Sequence, residues 1–136
     1  MDNNCTIYAE MHIVFDNDFD VHSIAKRLGI DPTECKSRNE TRISPLTNRP
    51  VEGFWTLKTE EKKERDLCVV LNKLMGIISA KLSVIKQICD ENNGIVVFDI
   101  IPIFDGNSAP ALYFERDFLD IVNYLNATIE IDMYVE

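Results

Sequence analysis

The chain has 136 residues, enough for one domain with a real core. Acidic residues outnumber basic ones 23 to 14, for a formal net charge of −9. That balance argues against a nucleic-acid partner or an anionic membrane surface, both of which need surplus Lys and Arg.

A basic protein partner fits the charge, because opposite fields steer encounter. Cys5, Cys35, Cys68 and Cys89 form no CxxC pair and lack a His at metal-ligand spacing. The first residues lack the basic and apolar regions of a secretory signal. No apolar run is read as reaching the ~20 residues of a membrane span. The expectation is a reducing, cytoplasmic protein, a single α+β domain over residues 1–136.

Residues 6–15 alternate with period two. Ile7, Ala9, Met11, Ile13 and Phe15 share one face, and Tyr8, Glu10, His12 and Val14 the other, as in a half-buried strand. Residues 20–29 predict a helix. Asp20 can cap it, Val21, Ile24, Ala25 and Leu28 make its apolar stripe, and Gly29 ends it. Residues 33–52 read as a polar loop, with a short strand near Arg42–Ser44. The loop holds Lys36, Arg38, Arg42 and Arg49.

Residues 53–58 predict a strand with Phe54 and Trp55 on opposite faces. Thr59 is the expected cap of a helical stretch running to Asn93-Gly94. One straight helix of that length measures about 45 Å. A chain of this size is only ~35–40 Å across. A bend near Met75-Gly76 is therefore expected. Residues 94–104 form the most apolar strand, and 111–114 a short one. Residues 116–125 form a helix, with Phe118, Ile121, Val122 and Leu125 inward. Residues 128–136 alternate again.

The fold expected is a two-layer α+β plan. Its mixed or mostly antiparallel sheet has about four to five strands, with helices on one face. A ferredoxin-like βαββαβ connectivity, with a helical insertion after the second strand, accommodates this order.

The segments AEMHIVF, DFDVHSIAKRLGIDPTEC, GFWTLKT, ICDENNG and LNATIEIDMYVE resemble, in order and spacing, a bacterial family known as domain of unknown function 4279. The resemblance runs over about residues 6–135. Its most specific parts are the LGIDPTE turn and Gly53–Trp55. It implies a compact α+β fold in the bacterial cytoplasm, and brings no activity, cofactor or catalytic residue.

No local catalytic motif is present. Asp16, Asp18 and Asp20 imitate a calcium loop, but the sixth and twelfth positions are Val21 and Arg27 instead of Gly and Glu. His12 and His22 have no triad or metal partner at a marking spacing. No phosphate-binding glycine loop occurs. No cofactor or metal is expected.

Two surfaces stand out. Tyr8, Glu10, His12, Glu130, Asp132 and Tyr134 fall on the predicted open sheet face, with Asp99 able to join them. This aromatic and acidic set suits a basic, toxin-like protein partner, as in an immunity protein, or a homo-oligomer. The alternative is a small-molecule, anion or enzymatic pocket at the 36–52 loop, lined by Arg38, Arg42, Arg49 and Trp55. Trp55 also reads as a core residue locking the loop to the sheet.

Overall fold

The computed structural model describes residues 4–48 and 51–136. Six strands, β1 Thr6–Phe15, β2 Glu34–Lys36, β3 Gly53–Lys58, β4 Gly94–Phe104, β5 Thr128–Ile131 and β6 Tyr134–Val135, form one sheet. Its order is β2-β3-β1-β4-β5, with β6 also on β4. The helices are α1 Ser23–Leu28, α2 Leu67–Ile78, α3 Leu82–Asn92 and α4 Arg116–Tyr124.

β1 lies between β3 and β4 and runs antiparallel to both. β2 is antiparallel to β3. The segment from β1 to β4 is therefore a ferredoxin-like βαββαβ unit. Its second strand is the short β2, which the sequence reading placed inside the loop. With β2 counted, the α2–α3 stretch is the unit's own second helix rather than an insertion. The addition lies at the other end: α4 leads to β5, which pairs parallel to β4. β6 continues in the same register beyond Asp132 and Met133, so β5 and β6 act as one interrupted edge strand.

Alternation places the core. Ile7, Ala9, Met11, Ile13 and Phe15 of β1 are fully buried, as are Trp55 of β3 and Phe98 and Ile100 of β4. They share one cluster with Ile24 and Leu28 of α1, Leu71 and Leu74 of α2, Ile85 and Ile88 of α3, and Phe118 of α4. The helices thus cover one sheet face. Phe118 seats α4 on β4, edge-on to Phe98 with ring centroids 5.1 Å apart.

Several local expectations shift. Thr59 does not cap a helix. Its hydroxyl accepts the Ala9 N–H at 2.9 Å, extending the sheet contact instead. The cap is Asp66, which accepts the Cys68 N–H at 2.9 Å. The helical stretch breaks at Ser79–Lys81 in a 3-10 turn, not at Met75-Gly76. Gly76 stays inside α2. Asp20 caps the turn before α1: its side chain accepts the His22 N–H, and Ser23 begins the helix. Gly29 adopts the left-handed conformation at φ 69° and closes α1. Residues 111–114 form no strand, although Leu112 and Phe114 pack on the core. Near Arg42–Ser44 the described residues hold a single bridge position at Ile43 rather than a strand.

Leu67–Asn92 is long and apolar enough to cross a membrane by length and composition, contrary to the reading of the sequence alone. Here it is two helices joined by the 3-10 turn. Leu67, Leu71, Leu74, Ile78, Ile85 and Ile88 of this stretch face the core.

Candidate functional site

The face opposite the helices is open, and its side chains follow from strand register. On β1 these are Thr6, Tyr8, Glu10, His12 and Val14, all half-buried. β3 adds Phe54, Thr56 and Lys58, and β4 adds Ile95, Val97, Asp99 and Ile101. Glu10 stands between Lys58 and Asp99, and His12 between Thr56 and Val97. Glu130 is the register partner of Asp99, and Tyr134 that of Ile103. The fold therefore brings Tyr8, Glu10, His12, Glu130, Asp132 and Tyr134 onto one surface, with Asp99 among them.

Hydrogen bonds hold the centre. The His12 ring meets Thr56 Oγ1 through Nδ1 at 2.7 Å and Glu10 Oε2 through Nε2 at 2.9 Å. Thr56 is buried, so one side of the imidazole is fixed from within the sheet. Lys58 Nζ lies 4.5 Å from the Tyr8 ring centroid and 3.4 Å from Glu61. Burial, then Glu61, Glu10 and Tyr134, push the Tyr8 phenol upward.

Asp99 is the most perturbed carboxyl on this face. Burial, a hydrogen bond with Asp132 and the charges of Asp132, Glu10 and Glu130 raise it to about 7. Its Oδ1 is sealed from solvent and has no hydrogen-bond partner among the described residues. Two depressions flank His12. One of about 570 Å³ is lined by Glu34, Phe54, Thr56 and Lys58, and one of about 330 Å³ by Asp16, Glu52, Ile95 and Glu130.

The second predicted surface is arranged differently. Trp55 is fully buried on the helix side, paired in register with Ile13 and Cys35, so it has no face for a ligand. Its Nε1 has no hydrogen-bond partner among the described residues. Arg38 begins a 3-10 turn, Arg42 is exposed, and Arg49 lies outside the described residues. Trp55 thus matches the core reading, locking β3 under the helices.

Sequence spacing missed a second cluster. Cys35 Sγ lies 3.5 Å from His22 Nδ1, and His22 Nε2 lies 2.5 Å from Glu40 Oε1. Ser37 N–H also donates to Glu40 Oε1, at 2.9 Å. The order thiol, imidazole, carboxylate is that of a nucleophilic triad. The surroundings oppose a thiolate, however. Burial and the charges of Glu40, Asp20 and Glu34 push the Cys35 thiol upward. Positions 22, 35 and 40 match no local motif; β2 and the 3-10 turn bring them together.

The Glu10–His12–Asp99 grouping was also missed as a donor set. Its only trace in the sequence is Glu-x-His at strand period, with an acidic residue inside the apolar run of β4.

Among proteins already described, one family model matches residues 5–136: domain of unknown function (DUF4279). No curated protein and no solved structure matches the chain.

Proposed function

The chain belongs to that family, whose description carries no activity, and from the site we propose a protein-binding module that receives a basic partner on its open sheet face. The most concrete form is an immunity-type protein that masks a basic toxin in the bacterial cytoplasm. The carrying observation is the gathering of Glu10, Asp99, Glu130 and Asp132 on one surface with Tyr8 and Tyr134. Lys58, the facing cation on β3, is engaged by Glu61 and the Tyr8 ring. The net charge of −9 extends the same field over the molecule. The buried thiols of Cys68 and Cys89 support a reducing compartment.

Tyrosines beside carboxylates suit recognition of Lys and Arg, which pair with the acid and stack on the ring. The flanking depressions give long basic side chains room on either side of His12. The test is the product of a toxin-like neighbouring gene, mixed with this chain. A stable complex weakened by salt is expected. No complex, or one indifferent to salt, contradicts the proposal.

A second reading follows from the 570 Å³ depression, whose size suits a small ligand. It lies on the sheet face between β1 and β3, away from Trp55. A thermal-stability screen against small cationic and neutral metabolites tests it: a saturable upshift lost in Thr56→Val supports it, and unchanged melting across the panel rejects it.

A further inference from the structure

Three donor atoms converge at the centre of the open face. One His12 ring nitrogen and one carboxylate oxygen each from Glu10 and Asp99 lie within 4.8 Å of one another, on half-buried side chains. Strands, not loops, set this spacing. Glu10 and His12 are two residues apart on β1, and Asp99 is Glu10's register partner on β4.

The surroundings resemble those of a metal-binding histidine. His12 Nδ1 is held by the buried Thr56 hydroxyl, which fixes the ring and leaves Nε2 directed at Glu10. Such an outer hydrogen bond orients imidazole ligands in metal sites.

Asp99 Oδ1 is sealed from water and has no hydrogen-bond partner among the described residues. A carboxylate oxygen in that position is costly. Lys58 is turned toward Glu61, so it does not pair with this set. A divalent ion placed among the three donors would give them a shared partner.

We propose that Glu10, His12 and Asp99 form a binding site for a first-row divalent transition-metal ion, with His12 supplying nitrogen, the carboxylates supplying oxygen, and water completing the shell. The imidazole selects against magnesium and calcium, which take oxygen ligands. The site stands whether or not the face also docks a protein, because the isolated chain contains every ligand named.

The test is calorimetric titration of the chelator-treated chain with zinc chloride, with magnesium chloride as control. One equivalent of zinc should bind and raise the melting temperature, and magnesium should not. Glu10→Gln, His12→Gln and Asp99→Asn should each weaken zinc binding at least tenfold. Cys35→Ser, in the other histidine cluster, should leave it within twofold. Cobalt(II) absorption should show a ligand-field band that disappears in His12→Gln. Asp99→Asn is the safeguard if another variant fails to fold, since it removes a strained charge. No saturable zinc binding overturns the proposal. So does binding retained in Asp99→Asn, or binding abolished by Cys35→Ser.

Discussion

Glu10 and Asp99 are cross-strand partners on the two central strands, so two carboxyls share one position of the sheet. Like charges directly opposite one another destabilise a strand pair. Thr56 and Ile101, both buried on this face, show that the sheet accepts neutral side chains here. The acidic pair instead extends to Glu130 through β5. This run of carboxyls across three strands is the basis of the functional account.

The pH dependence of the metal-free protein should expose Asp99. Its carboxyl rises from 3.8 to about 7 in the fold. The folded state therefore holds the proton more tightly than the unfolded chain. That contribution is fully present below the unfolded value and is lost as pH rises through about 7. Asp99→Asn should stabilise the protein more at pH 8 than at pH 4. Urea unfolding in chelator at both values measures the difference. An equal effect at both contradicts the assignment.

Gly53 should resist substitution. A Cβ there would meet the Arg38 backbone nitrogen at 2.9 Å and the Lys36 carbonyl at 3.3 Å. Backbone cannot swing aside as a flexible side chain can, so β2 and the following turn would have to shift. Gly53→Ala should cost about 1–3 kcal/mol, read from chemical denaturation. A neutral result would show that β2 is not held against β3 as described.

The Cys35 thiol should react slowly. Burial and nearby carboxylates disfavour its thiolate. Alkylation by iodoacetamide at pH 7.5, followed residue by residue by mass spectrometry, should be slower at Cys35 than at a model thiol. Glu40→Gln should speed it by removing a negative charge. Rapid modification that slows in Glu40→Gln would instead mark a working triad with His22.

Arg65 should anchor the chain between β4 and α4. Its guanidinium donates to Ser108 Oγ and the Ser108 carbonyl, each at 3.0 Å, and to the Ala109 carbonyl at 3.2 Å. Arg65→Ala should cost about 1–3 kcal/mol, because it leaves carbonyls short of a donor. Amide exchange should quicken around Ser108. Unchanged exchange there would contradict the anchoring role.

Much of the fold was legible where periodicity had room to repeat. β1 shows ten alternating residues and β4 a long apolar run, and both were bounded correctly. The acidic face followed, because period two alone assigns Tyr8, Glu10 and His12 to one side. β2 was hidden because three residues, Glu34, Cys35 and Lys36, cannot display a period, and only Cys35 turns inward. Without it, the ferredoxin-like unit seemed to need an insertion. Trp55 carried two readings because a lone tryptophan suits a core or a binding wall. Its alternation with Leu57, also buried, decides for the core. The Cys35–His22–Glu40 and Glu10–His12–Asp99 groupings depend on tertiary register, which no linear spacing records.

The most direct test of the functional account is binding of the neighbouring toxin-like product to wild type and to a Glu10→Gln/Glu130→Gln/Asp132→Asn triple variant, measured by calorimetry at low and high salt. The account predicts a salt-sensitive complex with wild type and at least a tenfold loss in the triple variant at low salt. Equal affinity for both proteins would place the partner elsewhere and contradict it.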